Sequence, residues 1–333
     1  MHSPNDESSL IQRIEAALGA KAPSFGVGIG DDAALWKARP GRDVILTCDW
    51  FLEGSHFWRD VHPPDVVGWK CLARATSDVA AMGGEPRCFL LSLALPESQT
   101  GTWMTGFLGG LRRASRALKC PLAGGDTTRN EKILISVTVV GEVKKGHAAL
   151  RSGARKGDAI CVSGRLGGAQ LGLELLIREK TGALEQDEVL EKHFYPVPRI
   201  DLGRKLTARK LVTAMMDLSD GLSSDLQKLC AASRVGARIF ETRIPLAGVI
   251  ERQRIEESER LRAALHGGDD YELLFTVPKR KVKRMRDAIG GVPITVIGEV
   301  QGGRQIILTK KDGTEEPLQN AGWDPFRHDK KSS

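Results

Sequence analysis

No hydrophobic run in this 333-residue chain is long enough to cross a bilayer. The longest, CFLLSLALP ending at Pro96, falls far short of the roughly 20 residues that a spanning helix needs. The opening MHSPNDESSL has no basic region followed by an apolar stretch, so it does not read as a signal peptide. Cysteine is sparse and scattered: six residues, no CxxC pair and no His at zinc-finger spacing, which argues against structural zinc and against a disulfide framework. Aromatic residues, at 5%, leave few platforms for stacking nucleic-acid bases. There is no GxxxxGK[ST], which excludes a P-loop. The glycines of FGVGIGDD lack the dinucleotide-fingerprint spacing, and carboxylates follow where a pyrophosphate would need donors. What remains is a soluble chain, expected in the cytoplasm, with no membrane partner.

The net charge of +7 is concentrated in KRKVKRMR (Lys279 to Arg286), around Arg112 to Lys119 and at the tail. The first two stretches read as solvated faces of amphipathic helices, with Val282, Met285 and Ile289 inward in the first. No nucleic-acid partner is expected. Strand-like runs at Val44–Cys48, Cys88–Leu95, Lys132–Val143, Asp158–Ser163, Thr213–Leu218, Tyr271–Val277 and Val292–Val300 alternate with helical patterns. The helices fall at Asp65–Met82, Thr102–Leu118, Gly168–Glu179, Gly221–Ala232 and Pro278–Ile289. This is an α/β chain with mixed sheets. The polar RSGARKGD, from Arg151 to Asp158, separates two blocks and sets domains at 1–150 and 151–333. RQIILTKKDGTEEPL reads as a hairpin turning at Asp312-Gly313.

What the chain has in abundance is short carboxylate motifs, most beside glycine: GIGDDAA, TCDW, ATSDVAAMG, LAGGDTTR, MMDLSDGL and HGGDDYELLF. Glycine lets backbone come close to a ligand, and pooled carboxylates repel one another unless hard cations lie between them. The simplest reading is a multi-Mg²⁺ site holding a polyphosphate, each ion taking one or two carboxylates and phosphate oxygens. Adjacent Asp31 and Asp32 diverge in an extended segment, so one of them serves as a turn cap. Asp217 and Asp220 end a strand and open a helix; Ser219 or Asp220 could equally be that helix's N-cap. Asp78 lies mid-helix among apolar neighbours and is read as facing a site. Asp126 precedes a long strand and reads either as a phosphate or metal contact or as part of a polar turn. His56, after Glu53-Gly54-Ser55, is more often a surface or core residue than a catalytic one.

In this order, GIGDDAA, the T-x-D…EGxHF stretch from Thr47 to Phe57, SDVAAMG, GGDTTR, RSGARKGD, DLSDGLSSDL, GGDDYELLF and GWDPF resemble the thiamine-monophosphate kinase family. That family belongs to the superfamily of aminoimidazole ribonucleotide (AIR) synthetase and selenophosphate synthetase, and the resemblance spans Ile11 to Phe326. It implies an AIR-synthetase-like fold, with an N-terminal mixed-sheet dimerisation domain and a C-terminal α/β domain. It also implies a homodimer with the active site in the cleft between the halves. The implied reaction passes the γ-phosphoryl of ATP directly to thiamine monophosphate, giving thiamine diphosphate. Mg²⁺ ligands are implied at Asp32, Thr47, Cys48, Asp49, Asp78, Asp126, Asp217 and Asp220. ATP contacts are implied at Gly125, Asp126, Arg151 and Ser219, and thiamine phosphate contacts at His56, Asp269 and Trp323. No residue is implied as a general acid or base, since a phosphate acceptor is already a nucleophile. The chain departs from the family pattern at Cys48 (usually Thr), Asp269 (Glu) and Ala75 (Asn). The alternatives are an ATP-dependent ligase or cyclase of the AIR synthetase type and an inactive nucleotide-binding dimer.

Overall fold

The computed structural model describes residues 7–19, 25–27, 29, 33–179, 188–248, 255–289 and 291–326. The chain divides into two compact units, residues 1–80 with 84–148, and residues 81–83 with 149–333.

The first unit contains α1 (Glu7–Leu18), β1 (Phe25–Val27), β2 (Leu35–Trp36), β3 (Arg42–Leu52), α2 (Pro64–Ala81), β4 (Glu85–Leu95), α3 (Thr102–Ala117), β5 (Leu122–Arg129) and β6 (Leu134–Lys144). Four strands form a sheet in the order β3-β6-β4-β5, with β4 and β5 parallel and the other pairs antiparallel. Alternation along β3 buries Ile45 and Phe51 and leaves Val44, Leu46 and Trp50 exposed. The inward face meets α2, where the Arg74 guanidinium lies 5.2 Å from the centre of the Phe51 ring. Helices α2 and α3 cross at a glycine contact: a Cβ at Gly110 would fall 1.8 Å from the Asp65 carbonyl oxygen. From sequence LAGGDTTR is expected as a motif or polar turn ahead of a long strand. It is instead β5, paired residue for residue with β4 from Leu90 to Leu95.

The second unit contains β7 (Asp158–Ser163), α4 (Gly168–Glu179), α5 (Glu188–Phe194), α6 (Ile200–Ala208), β8 (Ala214–Leu218), α7 (Leu222–Ser233), β9 (Gly236–Phe240), α8 (Glu257–His266), β10 (Glu272–Pro278), α9 (Val282–Ala288), β11 (Ile294–Gln301), β12 (Ile306–Thr309) and β13 (Glu315–Pro317). Seven strands run in the order β13-β12-β9-β11-β7-β10-β8, all antiparallel except β12 with β9. Both faces of the sheet are covered. Ile160, Val162, Met216, Leu218 and Leu274 pack with Leu226 and Leu229 of α7 on one side. Cys161, Met215, Leu273 and Phe275 pack with Leu202 and Leu206 of α6 and Met285 of α9 on the other. This explains why β7, β8 and β10 read as continuous apolar runs instead of alternating ones. The terminal hairpin forms as expected, with Gly313 at φ +87°. No helix among the described residues is long and apolar enough to cross a membrane.

Candidate active site

In the first unit the expected residues fall on two faces of one sheet. Thr47 and Asp49 share the helix-facing side, where the Thr47 hydroxyl donates to the Asp78 carboxylate of α2 at 2.5 Å. The mid-helix Asp78 therefore faces the sheet. Cys48 points the other way, exposed, with its sulfur 3.3 Å from the Ser136 hydroxyl. Asp126 is exposed on that same open face, in register with Ser92, which is itself in register with Ser136. Gly125 is required by close approach, because a Cβ there would lie 1.9 Å from the Leu91 carbonyl oxygen. Gly125 and Asp126 line a cavity of about 670 Å³, walled also by Ile11 and Ile14 of α1 and by Leu90. His56 accepts the Leu52 N–H through Nδ1 at 3.1 Å and packs against the Phe51 ring. Asp32 lies outside the described residues.

In the second unit a tight turn follows β8. Asp217 is buried in the last turn of strand, in register with Leu273, while Ser219 and Asp220 form the turn itself. The N-cap reading does not hold for either residue. The cap is Gly221, at φ +102°, and it has no side chain to offer. Asp225, one turn into α7, does the capping work: its buried Oδ2 accepts the N–H groups of both Ser219 and Asp220 at 3.0 Å. Lys228 bridges Asp220 and Asp225, with the Asp225 contact at 2.8 Å. Burial pushes the Asp225 carboxyl up, while Lys228 pulls it back down. Arg151, before β7, is exposed, and its carbonyl accepts the Ser233 hydroxyl at 3.0 Å.

Two further segments dock on this turn. The Asp269 N–H donates to the Ser219 carbonyl and the Trp323 N–H to the Asp220 carbonyl, each at 2.9 Å. Gly322 permits the second contact, since a Cβ there would sit 2.3 Å from the Asp220 oxygen. Ser219, Asp220, Asp269 and Trp323, four of the residues singled out in the sequence, thus meet on one turn. Trp323 is 47% exposed. Among the described residues, no three His, Cys, Asp or Glu side chains gather closely enough to hold a metal ion. The donor set is nevertheless suited to Mg²⁺, being carboxylate and hydroxyl oxygen apart from Cys48, whose soft thiol is not.

Sequence reasoning missed the supports of this turn: Asp225, Lys228, Asp270 and Tyr271. The first and the last two stand inside DLSDGLSSDL and GGDDYELLF, so the motifs themselves carried the signal. Asp270 accepts the N–H groups of Gly167 (2.7 Å) and Ala169 (3.3 Å), tying the segment to the start of α4. The residue as a whole is partly exposed, but its carboxyl is enclosed. That burial pushes its pKa up to about 7 against the two donors, helped by the charges of Glu272 and Asp269.

The family profile of AIR synthase related protein, N-terminal domain, matches residues 30–143, and that of the C-terminal domain matches residues 155–311. A thiamine-monophosphate kinase of Bacillus subtilis (strain 168) is 36% identical over 329 residues, covering 97% of this chain and 100% of the relative. The chain belongs to the thiamine-monophosphate kinase family. Its fold agrees with two solved family structures. Thiamine-monophosphate kinase from Stenotrophomonas maltophilia K279a aligns with a TM-score of 0.81 at 35% identity, over 91% of this chain and 96% of that one. AaThiL complexed with AMPPCP and TMP aligns at 0.74 and 34% identity, over 97% and 98%.

The raised pKa of Asp270 makes a signed prediction. An unfolded Asp loses its proton near about 3.9, whereas the folded carboxyl keeps it up to about 7. Its contribution to stability is therefore fully present below the unfolded value and is lost as pH rises through 7. In urea unfolding, the stability of the parent protein relative to Asp270→Asn should fall between pH 5 and pH 8, by about 1 kcal/mol or more. Parallel pH profiles for the two proteins would contradict the assignment.

Proposed function

We propose that this chain uses ATP to phosphorylate thiamine monophosphate, giving thiamine diphosphate and ADP by direct transfer of the γ-phosphoryl group. The observation that supports this most is the turn after β8, where two residues proposed for Mg-ATP, Ser219 and Asp220, carry on their carbonyls the segments bearing two proposed for thiamine phosphate, Asp269 and Trp323. Full-length identity of 36% to a thiamine-monophosphate kinase supports the same reading.

Transfer between two anions asks little covalent chemistry of the protein. It asks for cancelled repulsion, an acceptor oxygen held in line, and exclusion of water. The acceptor phosphate is already ionised at neutral pH, so no general base is assigned. Thr47, Asp49 and Asp78 in the first unit, and Asp217 and Asp220 in the second, would hold Mg²⁺, which when bound neutralises charge on the phosphates. Asp126 and Gly125 line a cavity of about 670 Å³, within the usual range for small-molecule pockets, and its isoleucine wall suits a nucleotide base. Ser219 and Arg151 contact ATP phosphates in this reading. Asp269 faces the cationic thiamine moiety and Trp323 stacks on one of its rings. His56, whose Nδ1 is engaged by its own loop, presents its other edge to the acceptor phosphate. Cys48 is left out of the metal set, because its thiol is a soft donor for a hard ion.

The open sheet face that bears Cys48 is where the chain pairs with a second copy. Val44, Leu46 and Trp50 are 45%, 70% and 55% exposed on one side of the four-stranded sheet. Such a stripe is costly in water and suited to a twofold sheet-on-sheet contact. In this reading Cys48 is an interface residue.

Chromatography of a reaction containing ATP, Mg²⁺ and thiamine monophosphate should show thiamine diphosphate, with none formed from free thiamine. Asp217→Ala or Asp126→Ala should reduce turnover by roughly a hundredfold or more while the fold is kept. Full activity in Asp217→Ala would contradict the metal reading, full activity in Asp126→Ala would contradict the assignment of the cavity to ATP, and no product from the parent protein would favour an AIR-synthetase-type ligase or an inactive relative. For the interface, light scattering should give a dimer mass for the parent protein and a monomer mass for Leu46→Asp. A parent protein that stays monomeric at micromolar concentration would rule the pairing out.

A further inference from the structure

Two non-glycine residues near the β8 turn have positive φ. Asp269 has φ +68° and Tyr271 has φ +50°. Left-handed backbone crowds the Cβ of an L-residue against the following carbonyl oxygen, and while Asp tolerates the region comparatively well, Tyr does not. Strain of this sort persists only where the surroundings over-determine it. Here they do. The Asp269 N–H is held by the Ser219 carbonyl and the Tyr271 N–H by the Leu218 carbonyl, both at 2.9 Å. Between them the Asp270 carboxyl is clamped by two N–H groups at the start of α4.

The strained geometry has a visible product. It folds the Tyr271 side chain back so that its hydroxyl donates to Asp269 Oδ1 at 2.6 Å. Tyr271 is 2% exposed, so its ring is fixed by packing and can aim the bond with little freedom. A hydrogen bond to a carboxylate is charge-assisted, about twice as strong as a neutral one. It orients an acid that is itself only half-buried and sits one hydrogen bond away from Ser219.

We propose that Tyr271 is a positioning residue for Asp269, and that the pair sets the enzyme's affinity for the cationic acceptor. This rests on the functional reading above, in which Asp269 faces thiamine monophosphate. A carboxylate free to rotate loses conformational entropy when it meets a cation; one already held by Tyr271 has been ordered by folding. The buried phenol acts through its bond to Asp269, so its effect belongs in acceptor binding and not in transfer.

Steady-state kinetics on Tyr271→Phe, Asp269→Asn and the double variant test this, with thermal unfolding measured alongside. Tyr271→Phe should raise KM for thiamine monophosphate roughly tenfold while changing kcat and KM for ATP by less than about twofold. In the Asp269→Asn background the same substitution should add almost nothing, because the group it positions has lost its charge. An unchanged acceptor KM, or an equal further rise in the double variant, would overturn the role of Tyr271. A parallel rise in both substrates' KM values together with a fall in melting temperature would also overturn it, by showing a purely structural residue. Parent protein that makes no thiamine diphosphate at all would instead remove the functional reading on which the proposal stands.

Discussion

The carboxylate of Asp225 holds the second unit's functional turn in shape. Buried at the first turn of α7, it takes the N–H groups of Ser219 and Asp220 on one oxygen and Lys228 on the other. A buried charge is tolerated only when paired and hydrogen-bonded, and this one has three partners. The backbone carbonyls of Ser219 and Asp220 are thereby left pointing outward. Those two carbonyls receive the segments that carry Asp269 and Trp323. Without Asp225 the turn would lose two backbone bonds at once, and both docked segments would lose their anchorage.

The same logic is repeated around the turn. Glu272, at the start of β10, is 2% exposed, and it is held by the Arg199 guanidinium (Nε at 2.7 Å) and by the Ser163 hydroxyl (2.5 Å). Gly221 and Gly322 admit backbone where any side chain would collide. The supporting charges are satisfied and rigid. Asp220, by contrast, is shared with the half-exposed Lys228, and Asp126 stands in the open. Rigid supports beneath accessible acids are what phosphoryl transfer needs, since positioning and electrostatics carry nearly all of its catalysis.

How much of this was legible depended on how strongly each segment advertised its burial. The apolar strands β7, β8 and β10 and the amphipathic helices α2, α3 and α7 stood out because both their ends and their faces are marked. Strand β5 did not, because Gly124, Gly125 and the polar run after them carry no apolar alternation; partners on β4 make it a strand, not propensity. Helices α5, α6 and α8 were also passed over, being short or rich in charge. In the site, the turn residues were visible as Asp-Gly motifs, but which acid caps and which faces outward was not. Ser219 and Asp220 looked like N-caps by position, and only the three-dimensional path shows Asp225 reaching back to them. The exposed row Val44, Leu46 and Trp50 was not legible: Val44, Ile45 and Leu46 are all apolar, so the sequence does not show which of them face outward, and the strand expected from Val44 to Cys48 stops short of Trp50.

In the proposed reaction phosphate moves straight from ATP to thiamine monophosphate, with no released intermediate and no general base. Label transfer from γ-³²P-ATP tests it most directly. Incubation with Mg²⁺ and thiamine monophosphate should put the label into thiamine diphosphate, in step with ADP formed. Label recovered as inorganic phosphate, with thiamine diphosphate absent or unlabelled, would contradict direct transfer and leave an ATP-driven ligase as the better description of the chain.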